Sequence, residues 1–144
     1  MNTHEQYITL ETAKLAKQAG FDWGINTVYK GEKLYTDVIS FNWNIPREDF
    51  EKEGSDNLFH TFIQDSSNEF YSSPTQSVLQ RWLREEKMVH IEIVTGMGQY
   101  VVWFTDCGKK RLLIENHKEA TFNTYESALE AGLQKCLTLL IEKQ

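Results

Sequence analysis

Two cysteines, four histidines and one short basic run are the residues whose chemistry could serve catalysis or ligand binding. Cys107 precedes Gly108 and the basic triplet 109–111, an electropositive setting of the kind that activates thiols. The sequence identifies no base partner for it, which favours an incidental turn cysteine over a nucleophile. Cys136 lies among apolar positions at helical spacing, which is typical of a core residue. The histidines are scattered without metal-ligand spacing and predict no metal site: His4, His60, His90 and His117.

The sequence also lacks the common catalytic and cofactor motifs. Gly96-Met97-Gly98 has neither the third glycine nor the following helix of a dinucleotide-binding loop. The carboxylates of segment 48–56 form one solvated run, whereas a catalytic pair needs two different environments. The same run lacks the alternation of a calcium loop. The sequence therefore predicts a chain that is not an enzyme and that binds no cofactor or metal.

Composition indicates a single globular domain over residues 1–144. The chain is 40% apolar and 25% charged, which is enough material for a hydrophobic core. Its longest apolar run, Val101–Phe104, is much shorter than the about 20 residues of a membrane span. The first residues do not have the pattern of a signal peptide. We therefore expect a cytoplasmic protein with no membrane association.

Charge divides the chain into two parts. The net charge is −6; residues 1–72 hold six Lys/Arg and twelve Asp/Glu, whereas residues 73–144 hold nine of each. Nucleic-acid binding requires a basic face, so this balance disfavours a nucleic-acid partner. The candidate basic patch consists of Arg84, Lys109, Lys110 and Arg111. The triplet 109–111 is interpreted as a solvated hairpin turn.

The first part predicts one clear helix and several short strands. Thr9 can cap a helix from Leu10 to Ala19, and Gly20 is a natural stop. Segment 30–33, flanked by β-forming residues, predicts a hairpin, and segment 38–43 predicts a further strand. Segment 58–63 is apolar but too short for periodicity to separate strand from helix.

The second part predicts the order α-β-β-β-α. Ser73 is the expected N-cap of its first helix, in a capping box that continues with Pro74 and Gln76. Three antiparallel strands follow, at 88–94, 100–105 and 112–114, of which the middle one is apolar on both faces. Thr124 caps a long last helix whose apolar stripe covers the sheet; Gly132 within it is expected to lie against Trp103 or Trp82. The fold class is α+β, with this three-stranded sheet, further strands from the first part, and two or three helices.

The same element order occurs in double-stranded-RNA-binding domains, but such domains need basic residues at the start of the last helix and in a strand-connecting loop. Here the last helix begins Thr124-Tyr125-Glu126-Ser127, which is acidic, and the turn 95–98 has no basic residue. A nucleic-acid-associated module therefore remains only an alternative.

Three segments carry a resemblance to a known family. They are residues 71–85 (YSSPTQSVLQRWLRE, with HIEI at 90–93), residues 125–133 (YESALEAGL), and residues 10–16 (LETAKLA, with GFD at 20–22). Together they cover about a quarter of the chain and resemble small phage-related and mobile-element proteins of gut bacteria. The resemblance implies a phage or prophage accessory protein in a bacterial cytoplasm, and it carries no activity with it.

The aromatic residues of the acidic part suggest how such a protein could act. Tryptophan and tyrosine dominate the energetics of protein interfaces. Loop-borne aromatics framed by amides could thus form a recognition face, and the candidate partner-binding residues are Tyr29, Tyr35, Asn42, Trp43 and Asn44. The sequence predicts a non-enzymatic protein-interaction module with an unknown protein partner or self-association. An enzyme with an unrecognised site is the second alternative.

Overall fold

Short antiparallel sheets packed by helices make up the part of the chain that the structure describes, which confirms the α+β prediction. The computed structural model describes residues 5–50, 61–63 and 69–144. Its elements are, in chain order, α1 Leu10–Ala19, β1 Val28–Lys30, β2 Lys33–Tyr35, a 3₁₀ helix Arg47–Asp49, β3 Phe70–Ser72, α2 Gln76–Lys87, β4 Ile91–Gly96, β5 Gln99–Asp106, β6 Lys109–Leu112, β7 Ile114–Glu115, β8 Lys118–Glu119 and α3 Tyr125–Glu142. Residues 61–63 are helical, whereas the start of the apolar segment 58–63, residues 51–56 of the acidic run, His4 and His60 lie outside the described residues.

Two three-stranded sheets and one hairpin contain these strands. The first sheet has the order β2-β1-β3, the second β4-β5-β6, and β7 pairs with β8. All of these pairs are antiparallel. The first sheet contains the predicted hairpin around Gly31, and the second is the predicted sheet of the carboxy-terminal part.

Helix α1 has the bounds and caps that the sequence predicts. The Thr9 hydroxyl accepts a hydrogen bond from the Thr12 amide at 3.2 Å. Gly20 ends the helix in the left-handed region, with φ 98°. The small residues Ala13, Ala16 and Ala19 are buried, so the helix packs closely on its neighbours.

Helix α2 begins two residues later than its predicted capping box. The N-cap is Thr75, whose hydroxyl accepts from the Val78 amide at 3.3 Å. Ser73 instead donates its amide to the Thr27 carbonyl at 3.1 Å, and the Pro74 carbonyl accepts from the Ile8 amide at 3.2 Å. These tertiary bonds keep the chain extended through Pro74, so the helix starts only after the next residue.

The prediction of a strand at 38–43 is wrong. Only an isolated bridge forms there, with Ile25 and Phe41 exchanging backbone hydrogen bonds of 3.1 and 3.0 Å. Asp37 has φ 57°, which turns the chain before the segment can extend. Val38 and Phe41 of this segment instead pack against the cluster that contains Trp43, whereas Ile39 is exposed.

The second sheet follows the predicted alternation, but its third strand begins earlier than expected. Cys107 and Gly108 have φ 51° and 79°, which together form a tight two-residue hairpin turn. The basic triplet 109–111 therefore belongs to strand β6 and not to the turn. Leu113 follows the strand and donates its amide to the Val102 carbonyl at 2.9 Å.

Helix α3 covers one face of the second sheet, here called the inner face. The Thr124 hydroxyl caps it as predicted, and Leu129, Leu133 and Leu137 are buried. Gly132 does not lie against a tryptophan. A Cβ on Gly132 would come within 2.9 Å of Val102 Cγ1 and 3.2 Å of Ile91 Cγ2, so the glycine permits close approach of helix and sheet.

Two hydrophobic clusters hold the described residues together. The larger joins α1, α2, α3 and the inner face of the second sheet. The smaller lies in the amino-terminal part and consists of Val28, Trp43, Phe50, Ile63 and Phe70. Helix α1 links the two parts, because it contacts both β3 and α3.

Candidate functional site

Trp43, expected to bind a partner, has no exposed surface. Its ring stacks on Phe70 with centroids 5.7 Å apart and meets Phe41 and Phe50 edge-on at 4.9 and 5.9 Å. A fully buried side chain cannot contact a partner, so this prediction is wrong. Aromatic pairs of this geometry stabilise a core, and here they build the smaller cluster.

The two asparagines beside Trp43 connect loop and strand backbones. Asn42 Oδ1 accepts from the Asn44 amide at 3.0 Å. Asn44 donates to the Phe21 carbonyl at 2.9 Å and accepts from the Ser72 amide at 3.0 Å. Their hydrogen bonds therefore anchor the loop, and the expected recognition role has no support in this geometry.

The two tyrosines differ in their surroundings. Tyr29 donates its hydroxyl to the Ile8 carbonyl at 2.9 Å, and burial together with the negative charge of Glu130 raises its pKa. Tyr35 is half-buried, with its ring edge-on to Phe62 at 5.0 Å. The Tyr29 hydroxyl is thus engaged by the backbone of another segment. The Tyr35 ring is partly exposed and remains accessible to a partner.

The candidate basic patch is partly neutralised. Lys110 Nζ lies 2.8 Å from Glu92 Oε2, and Arg111 Nη1 lies 2.6 Å from Asp106 Oδ2. Lys109 is exposed on β6, whereas Arg84 is exposed on a different element, α2. Two of the four cations thus have a carboxylate at contact distance, which weakens the positive potential that a phosphate backbone would need.

A small cavity lies at the turn between β5 and β6. It has a volume of about 300 Å³, and its lining includes Cys107, Cys136 and Lys143. Lys143 donates to Cys107 Sγ at 3.2 Å and to Asp106 Oδ1 at 2.7 Å. Hydrogen bonds from Lys143 and then Arg111 lower the pKa of Asp106 to about 2, and burial raises the pKa of Cys136 to about 12. An ionised carboxylate and a neutral buried thiol do not form an acid–base pair.

Glu130 is a buried carboxylate that the sequence analysis missed. Its Oε2 accepts from the Thr9 amide at 2.9 Å and from the hydroxyls of Thr9 and Thr12, and its Oε1 accepts from Gln76 Nε2 at 2.8 Å. The charge lies at the amino-terminal ends of α1 and α2, where helix dipoles favour an anion. The sequence signal for its burial was its spacing: Glu130 lies three residues before Leu133 and therefore on the same, buried face of α3. The arrangement ties three helices together and leaves no free oxygen for a substrate.

The outer face of the second sheet, opposite α3, carries the most distinctive surface. In the strand register, Glu92 pairs with Trp103 and Trp103 with Leu112, while Val94 pairs with Val101. Paired residues share a face, so all five side chains lie together on the outer side. Val94 is 41% exposed, and the other three apolar residues are half-buried.

Neither hydrophobic cluster includes the four apolar residues of this outer face, as far as the chain is described. An ion pair spans it: Lys110 Nζ lies 2.8 Å from Glu92 and 5.5 Å from the centre of the Trp103 ring, and both charged side chains are 58% exposed. The sequence held only part of the signal for this surface: it showed that the middle strand is apolar on both faces, but not which face a helix would cover.

Among the residues that the structure describes, no group of three His, Cys, Asp or Glu side chains could hold a metal ion. No helix in the described ranges is long and apolar enough to cross a membrane. Comparison of the chain with family models, with curated proteins and with solved structures found no match.

Proposed function

We propose that the chain is a non-enzymatic protein-interaction module whose contact surface is the outer face of the second sheet. The proposal keeps the interaction function that the sequence suggests and moves the surface from the aromatic amino-terminal part to β4, β5 and β6.

One observation carries the proposal: Val94, Val101, Trp103 and Leu112 form a continuous apolar stripe on a face that α3 does not cover. Large apolar side chains gathered on one exposed face mark contact surfaces more often than scattered ones do. Tryptophan at the centre of such a face is typical of an interface anchor. The ion pair of Lys110 with Glu92 supplies polar groups over the apolar stripe.

The resemblance of residues 71–85 and 125–133 supports the biological setting that we propose, a phage- or prophage-related accessory protein in the cytoplasm of a bacterial host. No specific observation favours the two alternatives. The basic triplet is partly paired with carboxylates. In the cavity beside Cys107, Asp106 is paired with Lys143 and Arg111.

Site-specific photo-crosslinking tests the proposal with a matched pair of positions. Val94 and Thr95 are adjacent and both exposed, but their side chains point to opposite faces of β4. A photo-reactive residue at 94 should yield a discrete protein adduct in the expressing cells, and one at 95 should not. Equal adducts at both positions, or none at either, would contradict the proposal.

A further inference from the structure

We infer that the partner on the outer face is a second copy of this chain, packed sheet against sheet about a two-fold axis. This inference rests on the proposed function and names the occupant of the same surface. It does not involve the inner face, which α3 already covers.

The distribution of charge on the outer face points to self-association. Glu92 on β4 and Lys110 on β6 flank Trp103 on opposite sides and are equally exposed, at 58% each. A two-fold axis that runs along β5, between two facing sheets, exchanges the β4 side with the β6 side. Lys110 of one copy then lies within reach of Glu92 of the other, so the face is complementary to itself in charge.

The shape of the face fits the same arrangement. An axis along β5 keeps the strands of the two sheets aligned, which is the usual geometry when sheets pack about 10 Å apart. The Trp103 rings of both copies would meet near the axis, where interface anchors contribute most. The apolar stripe of each copy would then be covered by the stripe of the other.

The size of the face predicts a weak dimer. Three strands about 4.8 Å apart and about 20 Å long present roughly 300 Å² of flat area. Stable interfaces bury about 800 Å² on each partner. We therefore expect a monomer–dimer equilibrium that depends on concentration in the micromolar range.

Sedimentation equilibrium with charge-reversed chains tests the inference. From about 10 to about 300 µM, a range suited to weak interfaces, the wild-type mass should rise from 16.8 kDa toward twice that value. Glu92→Lys or Lys110→Glu places like charges opposite each other, which should weaken the dimer by about tenfold or more. Mixing the two variants restores opposite charges and should restore association. Glu86→Lys, an exposed reversal on α2, serves as the control and should associate like the wild type.

A chain that carries both Glu92→Lys and Lys110→Glu keeps the test valid even if either single reversal disturbs the fold. Its internal ion pair is kept with the signs exchanged, and its face is again self-complementary, so it should dimerise like the wild type. A wild-type chain that stays at 16.8 kDa throughout the range, or a dimer that ignores all of the reversals, would overturn the inference. The proposed function would survive that result if the crosslink at position 94 joins a different protein.

Discussion

Trp103 and Phe104 are neighbours on β5 that face opposite sides of the sheet, and replacing each by alanine should have very different consequences. Phe104 is 3% exposed and belongs to the larger hydrophobic cluster. Trp103 is half-buried and belongs to neither cluster. Since alanine replaces an aromatic residue on the same strand in both variants, the loss of strand propensity is matched.

The expected magnitudes follow from what each ring contacts. Removal of a buried phenylalanine leaves a cavity and costs about 3–5 kcal/mol of unfolding free energy. Trp103 loses a cation–π contact with Lys110, worth about 0.5–1 kcal/mol at an exposed site. It also loses cross-strand pairs with Glu92 and Leu112, each worth about 0.2–1 kcal/mol. These contributions sum to about 1–3 kcal/mol, and the two charged partners are 58% exposed, which weakens their contacts. We therefore expect Trp103→Ala to cost only about 1–2 kcal/mol, although tryptophan is the larger residue.

Urea denaturation followed by circular dichroism measures both values, at about 1 µM chain so that association does not add to stability. Phe104→Ala should therefore cost more than Trp103→Ala by about 1–4 kcal/mol. A loss of about 3 kcal/mol or more for Trp103→Ala would show that the ring is packed as a core residue, and the reasoning about an uncovered face would fail.

The remaining predictions concern the core and the turn between β5 and β6. Glu130→Ala should lower the unfolding free energy by about 3–5 kcal/mol because the buried donors of Thr9, Thr12 and Gln76 lose their acceptor. Glu130→Gln keeps one oxygen and should cost less; equal losses in urea denaturation would show that the remaining oxygen accepts none of these bonds. Gly132→Ala should destabilise by about 1–2 kcal/mol despite a helix-propensity gain of about 1 kcal/mol, because its Cβ meets stiff β-branched side chains; a stabilised variant would contradict this. The pKa of Asp106 in the folded chain, about 2, lies below its ordinary 3.8, so its contribution to folding stability is present above pH 4 and is lost as the pH falls toward 2. Between those pH values the melting temperature of Asp106→Asn should therefore fall less than that of the wild type, and parallel falls would argue against the assignment. A thiol reagent at pH 8 should modify the exposed Cys107 quickly and the buried Cys136 only on unfolding. The pKa of Cys136, about 12, leaves roughly one Cys136 thiol in 10⁴ ionised at that pH, so two fast-reacting thiols in the native protein would contradict its burial.

Elements with local signals were predictable from the sequence. Helix α1 has the predicted bounds because its cap, its small buried residues and its terminal glycine all act within one short segment. The alternation of β4 and the stripe of α3 were likewise readable, since a single covered face imposes a period on the sequence.

Elements decided by distant contacts were not predictable. The start of α2 depends on hydrogen bonds of Ser73 and Pro74 to Thr27 and Ile8, which no local pattern records. The loop around Trp43 has aromatic residues without a period, so their burial against Phe70 could not be separated from exposure on a surface. Composition alone therefore could not show that Trp43, expected at a contact surface, is a core residue.

The strand β5 holds the most informative discrepancy between sequence and structure. Its apolar residues on both faces were visible, but a sequence pattern cannot say that only one face receives a helix. Register and packing assign Val102 and Phe104 to the core and Val101 and Trp103 to the outer side. The candidate surface therefore emerged from the pairing of the strands and not from a motif.

Hydroxyl-radical labelling of Trp103, in dilute purified chain and again in the cells that express it, tests most directly whether protein covers the outer face. Met88, which is 76% exposed at the end of α2, supplies an internal reference. We predict that labelling of Trp103 relative to Met88 is strong in the dilute chain and falls several-fold in the cell. Equal relative labelling in both settings would contradict a contact surface on β4, β5 and β6.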